Sequence, residues 1–368
     1  MPTTAITTPN ELLTASGVTL LAKNRAAMLK ELNRPVADAA MRTMQKVDGG
    51  FRWQFGFETE WHSEPTRVRA GAGSYINVGR LARTTLTPAW DEPAYVVQPA
   101  FISRRDESQN AGQSRIIDLA NRRLMNRDKH LHMQLEQMLL FGPNASGSWA
   151  GMPAWVGWNH FNGTDDATYG HVEEDTSGTN SVHNVSRSTY PASTHPLLHN
   201  LVVDLAAGFG TNALNAFALL QGKMMVRNQT LQAGEWYFTK ECLANWTRAN
   251  RGSMVYGSIQ AAMDGNISLA QTFLGKPIKV VEALPYNGSA SASDPWSAVY
   301  VPWSRSKSGD TETGGTRIVA YTGEAMSSDP WETIPGTVGV RISIAHLFGQ
   351  LISEDPGGYI LVFDGQTY

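Results

Sequence analysis

The chain has 368 residues, of which 42% are hydrophobic and 17% charged, enough apolar material for one large or two to three smaller packed domains. Its 34 glycines and 18 prolines are near ordinary usage, which excludes collagen-like and largely disordered classes. The net charge of −3 gives no global basic field, so any contact with nucleic acid must come from a local patch.

The single cysteine, Cys242, excludes an internal disulfide and a cysteine-rich zinc site. The N-terminus lacks the basic segment of a secretory signal, and no apolar run approaches the about 18 residues that a membrane helix needs. We therefore expect a soluble intracellular protein that has no membrane partner.

The N-terminal region changes its pattern after residue 18. Residues 1–18 are rich in threonine and weakly patterned, which indicates an extended arm. Residues 19–46 carry apolar side chains at helical spacing among Lys, Arg and Glu, and Pro35 predicts a break or kink in this helix. The Asp-Gly-Gly sequence at residues 48–50 predicts its end.

A strand with one aromatic face is predicted next, because its alternate residues are Phe51, Trp53, Phe55 and Phe57. Further strand patterns cover residues 75–87 and 94–103, and no helix pattern lies between them. An isolated two-stranded ribbon is marginal in water, so the aromatic face needs a second surface. A neighbouring subunit would supply that surface; the alternative is an ordinary meander packed on its own domain.

The longest helical pattern of the chain follows. Asp106, Ser108 and Asn110 are start signals, and Gly-Pro at residues 142–143 predicts the end. The apolar stripe repeats every seven residues, at Ile117, Leu124, Leu131 and Met138. Roughly 28 residues at 1.5 Å each give a rod of about 42 Å, long enough to be the backbone of a domain.

The same region is locally basic. Between Arg104 and His130 it carries seven Lys and Arg residues against four Asp and Glu residues, in a chain whose net charge is negative. The candidates for a DNA-facing patch are Arg115, Arg122, Arg123 and Arg127. Contact with phosphates there would be salt-sensitive and independent of base sequence. The alternative is an ordinary charged face in solvent.

The remaining chain separates into three patterns. Residues 142–200 are irregular and acidic, with Trp149, Trp155 and Trp158 among glycines. An α/β pattern follows, with helices predicted over 212–227, 240–249 and 259–273 and strands over 235–238, 278–282, 298–302 and 317–321. The tail is β-rich over 338–347 and 351–363, with a turn at 355–358.

Motifs of catalysis and of cofactor binding are missing from the sequence. No nucleophile elbow, phosphate-binding P-loop or dinucleotide fingerprint occurs. His130 and His132 are two residues apart on a predicted helix and cannot share one metal ion, and Pro196 separates His195 from His199. We therefore expect no enzyme activity, no catalytic residue, no metal and no cofactor.

The order of arm, β excursion, very long helix, irregular loop, α/β unit and β-rich return resembles the major capsid proteins of tailed bacteriophages, which have the Hong Kong 97-like fold. Several strings are similar to that family: NAG at 110–112, IIDL at 116–119, LLFG at 139–142, GMPAW at 151–155, VSRSTY at 185–190, EWYFT at 235–239 and LGKPIKV at 274–280. The resemblance covers residues 45–365, and the succession of the strings carries it.

The resemblance implies an α+β fold in four parts. These are an N-terminal arm over residues 1–48, a long β-hairpin called the E-loop over 49–105, a peripheral domain with a spine helix over 106–200 and 332–368, and an α/β axial domain over 201–331. The E-loop would reach over a neighbouring subunit through its aromatic face, Phe51, Trp53, Phe55 and Phe57.

The resemblance also implies a function and partners. The chain would self-assemble as hexamers and pentamers into an icosahedral shell around double-stranded DNA, first in the host cytoplasm and finally in the virion. The implied partners are copies of itself, a scaffolding protein, a portal protein, a cement or decoration protein, and DNA held by non-specific contacts. Since no lysine lies between Lys46 and Lys129, the isopeptide cross-link that some relatives form from an E-loop lysine is not expected.

Two other functions stay open on the sequence alone. An encapsulin-like nanocompartment shares the fold and encloses a cargo enzyme instead of DNA. A glycan-binding protein or hydrolase would use the tryptophans of the 142–200 loop, although no paired-carboxylate motif accompanies them.

Overall fold

The computed structural model describes residues 34–47, 55–58, 83–86, 95–109, 113–141, 151–156, 171–174, 181–182, 185–186, 189–190, 195–205, 209, 213–226, 234–249, 272–274, 276–282, 297–304, 306–307, 310–311, 315–321, 327–335 and 339–364. The helices within these residues are α1 (Pro35–Arg42), α2 (Arg104–Gln109), α3 (Gln113–Phe141), α4 (Ala213–Val226) and α5 (Lys240–Ala249). None of these helices is both long enough and apolar enough to cross a membrane.

The strands are β1 (Gln45–Val47), β2 (Phe55–Glu58), β3 (Arg83–Leu86), β4 (Tyr95–Ser103), β5 (His171–Glu174), β6 (Ser181–Val182), β7 (Val185–Ser186), β8 (Leu201–Asp204), β9 (Glu235–Phe238) and β10 (Thr272–Phe273). They continue with β11 (Lys276–Val280), β12 (Ala298–Val301), β13 (Ser306–Lys307), β14 (Asp310–Thr311), β15 (Thr316–Tyr321), β16 (Ser327–Ser328), β17 (Glu332–Thr333), β18 (Val340–Phe348), β19 (Gln350–Ser353) and β20 (Ile360–Phe363). Short 3₁₀ turns lie at Met152–Ala154, Pro196–Leu198 and Pro356–Gly358.

The described residues divide into two compact units. The first contains those of 34–47, Glu92–Gly151 and Ile318–Leu351. The second contains those of Gly50–Asp91 and Met152–Arg317, together with those from Ile352 onward. Each unit has its own buried apolar cluster.

In the first unit the two longest strands form an antiparallel pair. β4 and β18 pair along their whole length, from Ser103 opposite Val340 to Tyr95 opposite Phe348. β16 and β17 pair with the other edge of β18. One face of this sheet packs on the long helix, where Ala100 and Ile102 join Ala120 and Leu124 of α3 and Trp331 in one buried cluster.

The long helix α3 buries an unusually wide stripe. The buried apolar residues are Ala120, Leu124, Leu131, Leu135, Leu139 and Leu140. Four buried residues of the same helix are polar or charged: Arg127, Asp128, His132 and Glu136. The stripe is wide because α3 is contacted by β4 and β18 and also by α1.

A reciprocal pair of hydrogen bonds forms the turn from β4 into α2. The backbone N–H of Asp106 donates to Ser103 Oγ at 3.2 Å, and the backbone N–H of Ser103 donates to Asp106 Oδ2 at 3.2 Å. This is a capping box, which satisfies two backbone donors that a helix start leaves open. Hydrogen bonding to Ser103, with help from the charges of Arg123 and Arg105, holds the pKa of Asp106 below its usual value.

The N-terminal part of the first unit corrects one prediction. Pro35 is the first residue of α1 and Arg34 before it is not helical, which agrees with the predicted break; proline suits the first helical position, where its missing N–H bonds nothing. Gln45–Val47 is a strand that pairs in parallel with residues 319–321, so the predicted helix does not extend to residue 46. Residues 19–33 of that prediction lie outside the described residues.

The second unit is built on a seven-stranded mixed sheet in the order β10-β11-β9-β12-β20-β8-β5. The helices α4 and α5 cover an apolar face of this sheet, and aromatic rings fill the space between. Phe273 lies at the centre of that cluster. Its ring meets those of Phe217 at 4.5 Å, Trp236 at 4.8 Å and Trp246 at 4.9 Å between centroids, all edge to face. This is the arrangement that aromatic quadrupoles favour.

The C-terminal strand belongs to the second unit. β20 pairs in parallel with β8 and antiparallel with β12, so it lies in the interior of the seven-stranded sheet. Just beyond it, buried Asp364 accepts hydrogen bonds from Asn245 Nδ2 at 2.8 Å and Ser297 Oγ at 3.2 Å. β20 and Asp364 thus belong to the second unit, and the division into arm, E-loop, peripheral domain and axial domain stays a prediction.

Most predicted elements after residue 94 are confirmed. The strand Glu235–Phe238 and the helix Lys240–Ala249 have the predicted bounds, and Ala213–Val226 lies within one residue of its prediction at each end. The predicted helix over 259–273 is wrong at its end, because Thr272–Phe273 is a strand paired with β11. Residues 259–271 lie outside the described residues.

Candidate interface surfaces

The exposed basic surface of the first unit comprises Arg122 and Arg123 on α3 and Arg104 and Arg105 on α2. Arg123 Nη2 lies 4.0 Å from Asp106 Oδ2, so one acidic side chain partly offsets this surface. Among the side chains that the structure describes here, four exposed guanidinium groups and the Asp106 carboxylate leave an excess of positive charge that suits phosphates. We call these four arginines the basic patch.

Arg127 does not belong to the basic patch, which corrects the prediction from sequence. Its side chain is buried, with 2% of the residue exposed. Its Nε and Nη2 donate to Asp128 Oδ1 at 2.9 and 2.7 Å, and its Nη1 donates to Ser343 Oγ at 2.9 Å. The charge of Arg127 is therefore neutralised inside the first unit and does not reach the surface.

The structure describes the side chains of two of the other predicted patch residues and not that of the third. Arg122 and Arg123 are exposed, as a DNA-facing role requires. Arg115 lies in α3, seven residues before Arg122, and its side chain is outside the described residues. Arg104 and Arg105 were counted in the charge of this region but were not predicted as patch residues.

The aromatic ribbon predicted as an intersubunit contact is described only in part. Phe51 and Trp53 lie outside the described residues. Phe55 and Phe57 occupy alternate positions of β2, which pairs with β3 as an antiparallel hairpin, Phe55 opposite Leu86 and Phe57 opposite Thr84. An antiparallel strand pair is thus present at these positions, and contact of the ribbon with a neighbouring subunit stays a prediction.

The face of β4 turned away from α3 carries exposed apolar side chains. Phe101 is 49% exposed and Val97 43% exposed. In register they lie opposite Ile342 and His346 of β18. Because directly opposed residues of antiparallel strands share a face, this side of the pair is apolar around Phe101 and partly accessible to solvent.

A second exposed apolar surface lies on α4. The helix buries Ala216, Phe217, Leu220 and Met224 in the core of the second unit, and its opposite side exposes Ala218, Leu219, Gly222 and Met225. Met225 is 79% exposed, and a side chain added at Gly222 would meet open space. A helix that is apolar on both sides is typical of one that is covered on both sides. Sequence periodicity could have revealed this surface, since residues 216–220 form an unbroken apolar run.

In the 142–200 loop, Trp155 does not offer the accessible surface that a glycan-binding site needs. Trp155 is fully buried, directly after the 3₁₀ turn Met152–Ala154. Trp149 and Trp158 lie outside the described residues. Stacking on a sugar ring requires an accessible aromatic face, so Trp155 cannot provide it.

Two described histidines of the second unit, His195 and His199, have structural contacts. Buried His199 donates from Nε2 to the carbonyl oxygen of Tyr190 at 2.6 Å, and the ring of His195 packs edge to face on that of Tyr190 at 5.0 Å. In the part of the chain that the structure describes, no group of three or more His, Cys, Asp or Glu side chains is placed to hold a metal ion.

Comparison with solved structures identifies the fold. The subunit of the cyanophage A-1(L) capsid superposes with a TM-score of 0.57, and the match covers 90% of this chain and 92% of that chain at 12% sequence identity. The chain has the Hong Kong 97-like capsid fold. The predicted α+β fold class is confirmed.

Two further solved structures are similar to the chain over most of its length. They are the capsid of the native GTA particle, with a TM-score of 0.49 and 13% identity over 88% of this chain and 89% of that chain, and the SrpI encapsulin of Synechococcus elongatus, with a TM-score of 0.46 and 11% identity over 91% and 89%. No family model matches the chain, and no curated protein matches it by sequence.

Proposed function

We propose that this chain is the major capsid protein of a tailed bacteriophage, which self-assembles as hexamers and pentamers into an icosahedral shell around double-stranded DNA. The observation that carries the proposal is the match of the Hong Kong 97-like fold to a cyanophage capsid subunit over about nine-tenths of both chains. The role is structural and not catalytic.

The exposed apolar residues support a chain whose surfaces are covered by other subunits. Phe101 on β4 and Met225 on α4 are large apolar side chains that a single subunit leaves in water. Contiguous apolar surface of this kind marks protein–protein contact. We propose the E-loop ribbon, with Phe51, Trp53, Phe55 and Phe57, as a further contact with a neighbouring subunit.

The basic patch supports non-specific contact with packaged DNA. Arg122 and Arg123 are exposed and adjacent, and Arg104 and Arg105 add two exposed charges on the preceding helix. Contacts of this kind act through counterion release and carry no base specificity. Arg115 is retained as a proposed member and Arg127 is not, because Arg127 is buried.

Closed shells need control of assembly, because head-to-tail contacts close only when the rotation between subunits permits. We propose a scaffolding protein and a portal protein as partners, and a cement or decoration protein in place of covalent cross-links. The chain would assemble in the host cytoplasm and end in the virion.

The test of function is the content of particles isolated from a culture that produces this chain. If the chain is a phage capsid protein, the particles should protect double-stranded DNA of genome length from added nuclease. Particles that lack DNA and enclose a co-purifying enzyme would contradict the proposal and indicate a nanocompartment.

The proposed E-loop contact has its own test. Replacing Trp53 and Phe55 by serine should leave soluble capsomers that fail to close into shells, because the apolar side of the ribbon is lost. The matched control replaces Arg52 and Gln54, on the other side of the ribbon, by serine and should assemble normally. Normal shells from the aromatic variant would contradict the contact.

A further inference from the structure

The exposed side of α4 has a glycine at its centre. Gly222 lies four residues after Ala218, three after Leu219 and three before Met225, so these four residues share one face of the helix. All four are exposed, and the opposite side of α4 is buried in the core of the second unit. We call these four residues the α4 face.

The single chain gives no packing reason for a glycine at position 222. A Cβ added there would meet open space, and the backbone does not have a positive φ. Glycine is, after proline, the least favourable residue in the interior of a helix. What a glycine provides on an exposed helix face is access, because another backbone can approach it more closely than any side chain would permit.

The side chains around Gly222 indicate the chemistry of what approaches. Leu219 is 45% exposed and Met225 79% exposed, and no residue of the α4 face carries a charge. The centres of protein–protein interfaces are depleted in charged residues and enriched in methionine. A face without cations does not suit the phosphates of DNA, so its partner is a protein surface.

The size of the α4 face indicates which protein covers it. From Ala218 to Met225 the helix rises about 10 Å, and it is about 10 Å wide, which gives an area on the order of 100 Å². A stable pair of proteins buries about 800 Å² on each partner. The α4 face therefore cannot hold a partner alone, but it can be one of several contacts in an assembly in which other contacts hold the same copies together.

We propose that the α4 face packs against the backbone of a neighbouring copy of this chain, with Gly222 at the point of closest approach. The inference rests on the proposed shell function and adds to it a contact of the second unit, separate from the E-loop. It assigns Gly222 a role in assembly at the expense of the stability of the single chain.

Gly222→Ala should have opposite effects on folding and on assembly. In the dissociated chain it should raise the thermal midpoint by about 2 °C, because alanine favours the helix and its Cβ meets no other atom. In the shell the same Cβ should crowd the neighbour's backbone, so the chain concentration at which light scattering detects assembly should rise about tenfold. A variant with a lower midpoint, or one that assembles at the wild-type concentration, would overturn the proposal.

A larger side chain at the same position gives a second test, with a matched control on α5. Gly222→Trp should fold but form no shells. Ala244 is also small and exposed, but Lys240 and Arg248 lie one turn before and after it, which is typical of a face in solvent. Ala244→Trp should therefore assemble as the wild type does. Normal shells from Gly222→Trp, or an equal loss of assembly in both variants, would contradict a specific contact at the α4 face.

Thiol labelling tests the contact in particles that do assemble. The native Cys242 is buried and is the only cysteine of the chain, so an introduced cysteine is the one accessible thiol. Met225→Cys should react with a maleimide in the dissociated chain and be protected in assembled particles, whereas Ala244→Cys should react in both. Equal reactivity of Met225→Cys in both states would overturn the proposal. Protection already in the dissociated chain would also overturn it and would assign the α4 face to another segment of the same chain.

The content of the particles separates this contact from the proposed function. Protection of Met225→Cys in particles that lack genome-length DNA would support the contact and contradict the phage shell. Particles that contain such DNA but leave Met225→Cys reactive would support the phage shell and overturn the contact.

Discussion

Arg127 Nη1 lies 2.9 Å from Ser343 Oγ, although 216 residues separate the two in the sequence. The Ser343 hydroxyl in turn donates to the carbonyl oxygen of Asp329 at 2.7 Å, and the remaining guanidinium donors bind Asp128. A buried polar chain thus ties the long helix to β18, one of the two longest strands of the first unit. The same residue that would bind phosphate on an exposed helix face here fixes the packing of that helix.

Removal of the Arg127 side chain should destabilise the chain strongly. Arg127→Ala leaves the buried Asp128 carboxylate without its partner, which costs about 3–5 kcal/mol of unfolding free energy. Arg122→Ala is the matched control, since an exposed arginine on the same helix should change stability by less than about 0.5 kcal/mol. Urea unfolding followed by circular dichroism measures both; equal stabilities would contradict the buried role of Arg127.

Removal of the two arginines that α3 contributes to the basic patch should weaken binding to double-stranded DNA without affecting the fold. In Arg122→Ala with Arg123→Ala, the slope of log K against log salt concentration should fall by up to about 1.8, because each phosphate contact contributes about 0.9. Fluorescence anisotropy with a labelled duplex, at salt concentrations between about 50 and 200 mM, measures this slope. Arg248→Ala, an exposed arginine of the second unit, should keep the wild-type slope. If the double variant also keeps the wild-type slope, Arg122 and Arg123 of α3 do not contact DNA.

Phe273 should be a principal stabilising residue of the second unit. Phe273→Ala removes the ring at the centre of the aromatic cluster and should lower the unfolding free energy by about 3–5 kcal/mol. Phe101→Ala removes a ring that is 49% exposed and should lower it by about 1 kcal/mol or less. Thermal or urea unfolding of the two variants gives the comparison, and a small effect at Phe273 would contradict the packing described for this core.

The pH dependence of stability should contain a contribution from Glu136. Its pKa is raised in the folded chain to about 7, so its contribution is fully present below 4.5 and is lost as pH rises through 7. Between about pH 5.5 and 8.5 the wild type should therefore lose about 2 kcal/mol relative to Glu136→Gln. Urea unfolding of both chains at the two pH values measures the difference, and parallel curves would contradict it.

Shells of this protein should not be cross-linked through the E-loop. No lysine lies between Lys46 and Lys129, so the nucleophile of an isopeptide bond is missing from that segment. Boiled and denatured particles should run as single chains of 40.2 kDa on a gel. A ladder of covalent oligomers would refute this expectation.

Local patterns were sufficient to predict the elements whose bounds depend on nearby residues. The strand Glu235–Phe238 is set by its apolar run, and α3 ends at Phe141 because Gly142 and Pro143 follow. The position of β20 could not be predicted in this way, since its neighbours β8 and β12 are far away in sequence. An apolar run predicts that a segment is a strand but not which strands are its neighbours. The order of strands in the sheet depends on pairing between segments that are distant in sequence.

The error at Arg127 has a different origin, because the sequence contained the signal against it. Arg127 lies three residues after Leu124 and four before Leu131, which places it within the apolar stripe of the long helix. The summed charge of the segment does not reveal this helical phase. The partner that makes burial possible, Ser343, lies on a distant strand and could not be inferred from α3 alone.

Light scattering after size exclusion, with negative-stain microscopy of each peak, tests the central claim most directly. The purified full-length chain should form megadalton shells, tubes or hexameric rings. A stable 40.2 kDa monomer that resists assembly even at high concentrations of crowding salt would contradict a capsid function.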